Sequence, residues 1–535
     1  MRDGATVARV NVSSEADFTR AVTEAQELIA HGRPAEAVAM VEGGSGPRAL
    51  LVQLRAVVYS AVHDDRATLL KGVELWRKLG PDKRPEAAFQ LAAALHAVVE
   101  LTMRTDGKVA VIERDRHLVR EARLTYLAAA EHEEGTDQLK LVSLVNCGNL
   151  FDSMGREVDA LQCYDRALEI DSGFGMALGN RGMALAKIAP FMGGHQSHVL
   201  EEAAWLLDRS FEDEERIRAT GDPRSLDIFR DVRANIRGGE PEPPDHGDGP
   251  RFSDQHLCWA FEHGLLLHIS PACLEDDASS VDALHLGSMV WSIEDDEQAR
   301  LKRLRDAFNT VKQDFIAARY SLWLASDPAS PIREHTDAVS ARGYFADTLS
   351  YARWGIRTGM GLQALTAATN TLDKIAGLVH LYFATDRKPK DVSFYGLWHR
   401  PPTKGQPLQM EPVFAEQLRH VDNEGLAAII DLSCEVDGDR HRTPLKEQIA
   451  RRHAATHRFL VAHDLPMYEQ DEAKWLTRVD WSDVVVGTIE QLRVTRAALI
   501  YLARAIAARE AASDHEGQII PRLPSYAVET FDMEP

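Results

Sequence analysis

Residues 144–182 read LVNCGNLFDSMGREVDALQCYDRALEIDSGFGMALGNRG, and this stretch indicates the fold of the N-terminal half. Asn146 and Gly148 recur as Asn180 and Gly182, so both are displaced by 34 positions. Between the two copies, small residues let two antiparallel helices approach closely, and aromatic rings fill the space between them. The residues with these roles are Gly148, Phe151, Ala160, Tyr164 and Ala167. The stretch therefore predicts a helical hairpin that repeats along the chain.

A hairpin with this period and these residues resembles the tetratricopeptide (TPR) repeat. Gly155 is placed to make the turn between the helices, and Gly32 and Ala37 repeat the spacing of Gly155 and Ala160. We therefore expect residues 1–237 to form a TPR-like helical repeat domain. The concave surface of such an array commonly binds a peptide or a partner protein, although an array can also act only as a scaffold.

Residues 238–251 mark the boundary of that domain. Their first thirteen residues, 238–250, contain four Gly and four Pro, and such a segment propagates neither helix nor strand. We expect a Gly/Pro-rich linker at 238–251 and a second domain at 252–535. A chain of 535 residues has room for both, because single cores rarely grow beyond about 250–300 residues.

Composition limits the kinds of function to consider. The apolar fraction of 44% is that of an ordinary globular protein, and the net charge of −21 argues against a surface that binds nucleic acid nonspecifically. Residues 440–458 are an exception, because they hold six Lys or Arg and one acid, Glu447. A basic segment in an acidic chain suits a confined phosphate site. The five cysteines form no C-x-x-C pair, and no signal peptide or membrane helix is evident, so we expect a cytoplasmic protein.

The second domain is expected to be mainly α. Apolar residues recur at spacings of three and four, which predicts helices near 299–325, 337–354, 362–384, 411–434, 443–463 and 482–511. Thr443 followed by Pro444 is a good start for the helix at 443–463. Strand signals are sparse, and the best of them is Val392-Ser393-Phe394-Tyr395.

The helix expected at 443–463 contains Arg452-His453-Ala454-Ala455-Thr456-His457. An arginine supplies a fixed cation for a phosphate, and a histidine titrates near neutral pH. The helical pattern predicts that both histidines face other protein, either the core or a partner helix. Arg452 and His457 would be about 140° apart on one helix, so two copies of the chain would serve one phosphate better than one.

Other readings of this segment stay open. The histidines can be satisfied core residues, with Arg452 paired to a carboxylate. His453 and His457 also have the i, i+4 spacing of a zinc motif, but Ala454 stands where the general base of a zinc protease would lie.

Taken with other ordered stretches, the segment resembles the HEPN superfamily (higher-eukaryote and prokaryote nucleotide-binding domains), whose motif is R-x(4–6)-H. The resemblance covers roughly residues 252–510 and is closest to a bacterial subfamily with TPR-like N-terminal regions. Two positions depart from the subfamily's pattern, because His453 stands in place of Asn and Thr456 in place of an acid. The similar stretches are 256–259, 282–286, 308–320, 372–376, 392–394 with Trp398, and 452–460.

The resemblance implies a homodimeric endoribonuclease that needs no metal and no cofactor. Arg452 and His457 would be catalytic, and His453 and Asp373 would bind phosphate or orient the others. His457 would act as base toward the 2′-hydroxyl or as acid toward the 5′-oxygen, and the product would be a 2′,3′-cyclic phosphate. The implied role is a toxin-like or anti-phage effector, whose TPR-like region senses or docks a partner. A non-catalytic scaffold that dimerises and recruits is the alternative.

Overall fold

The computed structural model describes residues 10–81, 84–191, 196–222, 224–236, 252–269, 281–286, 295–343, 345, 351–400, 409–435, 444–465 and 475–513. Helices dominate these residues, so the prediction of a mainly α fold is confirmed. They fall into two compact units, the first within 10–184 and 207–230 and the second within 185–206 and 231–513. The expected linker, 238–251, lies outside the described residues, and the domain boundaries therefore stay a prediction. None of the helices described here is both long and apolar enough to cross a bilayer.

From α1 to α8, each helix of the first unit packs against the next one in the chain, as in a helical repeat array. The helices up to residue 235 are α1 (Glu15–Ala30), α2 (Pro34–Glu42), α3 (Arg48–Ser60), α4 (Arg66–Lys78), α5 (Pro85–Ala110), α6 (Arg116–Glu131), α7 (Asp137–Ser153), α8 (Glu157–Ile170), α9 (Gly175–Ile188), α10 (Gln196–Ser210), α11 (Glu214–Thr220) and α12 (Ser225–Asn235).

Helices α7 and α8 form the hairpin expected from residues 144–182. A β-carbon on Gly148 would overlap the ring of Tyr164, so glycine is what lets these two helices approach so closely. Gly155 makes the turn with a φ of 78°. The hydroxyl of Tyr164 donates to Oδ1 of Asn149 at 2.9 Å, which fixes the buried ring. The helical hairpin is therefore present, while its assignment to the TPR family stays a prediction.

The second unit is built around three long helices. Helix α14 packs on α16, and both α16 and α18 pack on α20. Its elements beyond residue 252 are α13 (Gln255–Glu262), α14 (Asp295–Ser326), α15 (Arg333–Ser340), α16 (Ile356–Phe383), α17 (Pro412–Glu416), α18 (Glu424–Cys434), α19 (Pro444–His457), β1 (Phe459–His463), β2 (Leu476–Asp480) and α20 (Trp481–Ala512).

The helix predicted at 443–463 is wrong for its last six residues, 458–463. Helix α19 ends at His457, and β1 then pairs in parallel with β2, with Phe459 opposite Leu476 and His463 opposite Asp480. Apolar periodicity could not reveal this, because the pairing depends on a segment further along the chain. Thr443, the expected N-cap, lies outside the described residues.

Two other local predictions are also wrong. The predicted strand at 392–395 is a turn, because the backbone N–H of Phe394 donates to Oδ1 of Asp373, 2.9 Å away, instead of to a neighbouring strand. The helix predicted at 337–354 stops at Ser340, and Ala352 forms an antiparallel bridge with His463 on β1.

A buried ion pair joins α14 to the loop after α13. Arg319 is 1% exposed, and its Nη1 and Nη2 donate to the carboxylate of Asp282 at 2.9 and 2.7 Å. Nη1 also donates to the carbonyl of Leu265 at 3.0 Å. Burial alone would raise the pKa of Asp282, but the charge and hydrogen bonds of Arg319 outweigh it and hold that pKa below its usual range. Asp282 and Arg319 belong to two of the stretches that carry the family resemblance, 282–286 and 308–320. Each of these stretches therefore contains a residue with a structural role.

His256 should make the stability of this region sensitive to mild acid. Burial, with Arg319 second, lowers the pKa of His256 to about 4, whereas an unfolded histidine titrates near 6.5. The unfolded state therefore binds the proton first, and stability is lost as pH falls from about 6.5 to about 4, by on the order of 3 kcal/mol. Urea unfolding of wild type and His256→Phe at pH 7.5 and 4.5 checks this. We expect the variant to lose clearly less stability than wild type over this interval, and equal losses would contradict the assignment.

Candidate active site

Arg452 projects from α19 onto α16. Its Nε and Nη2 both donate to Oδ1 of Asn370, at 3.1 and 2.6 Å. The side chain is half-buried, and it makes no ion pair with any described residue. The alternative in which Arg452 pairs with a carboxylate is therefore wrong for this part of the chain. The neutral amide of Asn370 fixes the guanidinium in place, and no carboxylate among the described residues pairs with its positive charge.

The two histidines of the motif do not lie in the core of the chain. His453 and His457 are both exposed, and their ring centroids are 5.6 Å apart. The buried side of α19 is instead marked by Gln448 and Ala454, at 2% and 4% exposure. The histidines therefore do not face the core, and that half of the prediction is wrong. The other half, that they face a partner helix, stays a prediction. The pattern misled because α19 ends at His457, so Leu460 and Val461 lie on β1 and do not extend an apolar side of this helix.

Asp373 lies one turn after Asn370 on α16, at an exposed position. Its carboxylate accepts the hydrogen bond from the backbone of Phe394, and this bond ties the loop after α16 to the helix beside Arg452. Asp373 forms no salt bridge with an arginine among the described residues. Asp373 thus shapes the surroundings of Arg452, and its part in phosphate binding stays a prediction.

Tyr395, the residue after Phe394, has a buried hydroxyl with no hydrogen-bond partner among the described residues. Burial raises the pKa of Tyr395, the Asp373 carboxylate raises it further, and the Arg452 cation acts in the opposite direction. The phenol therefore lies within the electrostatic reach of both residues. The sequence analysis missed Asn370, which contacts Arg452, and Tyr395, whose phenol is influenced by the charge of Arg452. Asn370 lies three positions before Asp373 and therefore on the same face of the predicted helix. This spacing was the signal that could have identified Asn370.

Removing the hydroxyl of Tyr395 should not cost stability. A buried hydroxyl without a partner is destabilising, so we expect Tyr395→Phe to leave the free energy of unfolding unchanged or to raise it by up to about 1 kcal/mol. Tyr382→Phe is the matched control, because the hydroxyl of Tyr382 donates to Oε1 of Glu510 at 2.6 Å. That variant should lose about 1.5–3 kcal/mol. Urea titrations of both variants decide, and similar losses would show that Tyr395 has a partner.

The alternative of a zinc motif can be compared with the residues around α19. In the part of the chain that the structure describes, no three His, Cys, Asp or Glu side chains are grouped so that they could hold a metal ion. His453 and His457 therefore have no third ligand of these types there. The arrangement instead offers an anion one fixed cation and two accessible imidazoles.

Comparison with known proteins identifies the second half of the chain. No curated protein gave a significant match. Residues 296–509 match the family model of the LA2681-like HEPN domain, a segment that contains Arg452, His457 and every other side chain of the candidate site. The C-terminal region of this chain therefore carries a domain of the HEPN superfamily.

Proposed function

We propose that the HEPN domain is a metal-independent endoribonuclease with Arg452 and His457 at its active centre. HEPN domains commonly dimerise and bind RNA. The observation that carries the proposal is that Arg452, which forms no ion pair with a described residue, lies on the same helix as an exposed imidazole. An exposed imidazole is accessible to a substrate, and a guanidinium that pairs with no described carboxylate can bind a phosphate.

The proposed reaction uses only groups of the protein and of the RNA. His457 removes the proton of a ribose 2′-hydroxyl, the 2′-oxygen attacks the adjacent phosphorus, and the 5′-oxygen leaves with a proton from water. Arg452 stabilises the negative charge that develops on the phosphorane oxygens. The products are a 2′,3′-cyclic phosphate and a 5′-hydroxyl. DNA is not a substrate, because it lacks the nucleophile.

Two copies of the chain complete the proposed site. Arg452 is turned toward α16, whereas His457 lies on the exposed face of α19, about 140° away around an ideal helix. A two-fold axis along this face would bring Arg452 of one copy to His457 of the other. His453 lies one turn before His457 and is our candidate for a further phosphate contact.

Subunit mixing tests the composite site. Arg452→Ala and His457→Ala are each expected to be inactive when expressed alone. Co-expressed, they form mixed dimers in which one of the two sites keeps both residues, so about a quarter of wild-type activity should return. If the mixture stays inactive while purification through two different affinity tags shows mixed dimers, both residues act within one copy.

The biological proposal is a toxin-like or anti-phage effector whose TPR-like region docks a partner, and it rests on the resemblance of the HEPN region. The alternative function is a scaffold that dimerises without catalysis. We expect wild type in EDTA to cut RNA and to leave DNA and fully 2′-O-methylated RNA intact. Binding of RNA with no cleavage, including in the presence of cell extract, would favour the scaffold.

A further inference from the structure

Two aromatic rings at the starts of β1 and β2 are more exposed than any other large apolar side chain in the described residues. Trp475 is 67% exposed and Phe459 is 65% exposed. Neither ring contacts another aromatic ring in that part of the chain. By contrast, the ring of Trp354 stacks on that of Phe345, with centroids 6.1 Å apart and an angle of 15° between the planes. The faces of Trp475 and Phe459 are thus available to a ligand.

Both residues lie close to the proposed catalytic histidine along the backbone. His457, Arg458 and Phe459 are consecutive and all exposed. Two residues of chain span at most about 7 Å, so Phe459 lies within one nucleotide of His457. The backbone N–H of Phe459 donates to the carbonyl of Trp475, with a distance of 2.9 Å, which brings the tryptophan to the same end of the sheet.

The charge around these rings suits a polyanion. Residues 451–460 contain three arginines and no acid, in a chain whose net charge is −21. Cations interleaved with exposed rings are the arrangement that binds single-stranded nucleic acid, since the cations hold phosphates and the rings stack bases. The core of a protein–protein interface is instead depleted of charged residues. Arg458 lies between His457 and Phe459 in the chain.

We propose that Phe459 and Trp475 stack unpaired bases next to the phosphate that is cut, so that the substrate is single-stranded RNA. This inference rests on the ribonuclease function proposed above and adds the class of substrate to it. In a duplex, the faces of each base are covered by its neighbours, so paired RNA cannot use the two rings. Loops and single-stranded ends are therefore the segments that this site takes.

Binding can be measured without cleavage by using a fully 2′-O-methylated single-stranded oligonucleotide. Wild type has nine tryptophans, so the contribution of Trp475 is the difference between wild type and Trp475→Phe. We expect the oligonucleotide to quench fluorescence in wild type and much less in Trp475→Phe. The matched 2′-O-methylated duplex should give no such difference. Quenching of the two proteins to the same extent would overturn the role of Trp475.

Cleavage kinetics test the same proposal through the substrate. Phe459→Ala and Trp475→Ala should each raise KM for single-stranded RNA about tenfold, the effect of one lost base stack, with kcat within twofold of wild type. Trp475→Phe keeps a ring and should stay near wild type. Trp354→Ala is the matched control, because its ring is already stacked on Phe345, and it should change neither constant.

Three experimental outcomes distinguish this inference from the ribonuclease proposal and from a dimer interface at the two rings. Wild-type KM and binding in both alanine variants would overturn it and leave the ribonuclease proposal standing. Loss of a homodimer in Phe459→Ala and Trp475→Ala, seen by light scattering, would overturn it too, because the rings would then cover a second copy. Specific quenching by single-stranded oligonucleotide in a protein that cuts no RNA would support the aromatic subsite and defeat the ribonuclease proposal.

Discussion

His457→Ala is expected to lower the rate of RNA cleavage by about 10²–10⁴-fold, which is the usual contribution of a general acid or base. The imidazole of His457 is exposed and makes no hydrogen bond to a described residue, so the free energy of unfolding should change by less than about 0.5 kcal/mol. Single-turnover cleavage of a labelled RNA and a thermal melt measure the two quantities. A large loss of activity without a loss of stability is the signature of a residue that acts in chemistry.

His453→Ala is the matched control for this prediction. His453 is also exposed and lies one turn earlier on the same helix, with its ring centroid 5.6 Å from that of His457. As a phosphate contact, it should cost no more than about tenfold, and the loss should appear mainly in KM. If His453→Ala lowers kcat as much as His457→Ala does, the assignment of the general base to His457 alone is wrong.

Arg319→Ala is expected to cost about 3–5 kcal/mol of unfolding free energy. The variant leaves the carboxylate of Asp282 without the two hydrogen bonds from Arg319 and without its charge. It also removes the donor to the carbonyl of Leu265. Urea unfolding monitored by circular dichroism measures the loss. Many domains have a total stability of only about 5–15 kcal/mol, so the variant is expected to be close to unfolded at 37 °C.

The matched control is an ion pair at the surface that also involves α14. Lys374 on α16 donates to Asp314 on α14, and the two side chains are 51% and 26% exposed. Lys374→Ala should cost less than about 1 kcal/mol, because water screens exposed pairs. Equal losses of unfolding free energy for Arg319→Ala and Lys374→Ala would show that burial does not determine how much the Arg319–Asp282 pair stabilises the fold.

Helix content was predictable from the sequence, whereas pairing between distant segments was not. The hairpin around Gly148 and Gly155 could be predicted because its packing depends on residues close together in the chain. The sheet could not, since β1 forms only when β2 and Ala352 supply hydrogen bonds from other parts of the chain. The same limit explains the wrong strand at 392–395, whose backbone is held by Asp373.

The candidate site was predictable where it depends on one helix and not where elements meet. Arg452 and His457 could be found because their spacing is local, and their separation around the helix follows from helical geometry. Asn370 and Tyr395 come from α16 and the loop after it, and only tertiary packing brings them to Arg452. The exposure of the histidines was misjudged, because the end of α19 depends on the sheet that follows it.

The most direct test of the account is the chemistry of the RNA ends. Wild type, Arg452→Ala and His457→Ala would be incubated with total RNA and tRNA in EDTA, and the fragment ends analysed by mass spectrometry. We expect 2′,3′-cyclic phosphate ends from wild type and none from either variant, although His457→Ala should melt like wild type. Cleavage at the wild-type rate in both variants would contradict an active centre built on these two residues.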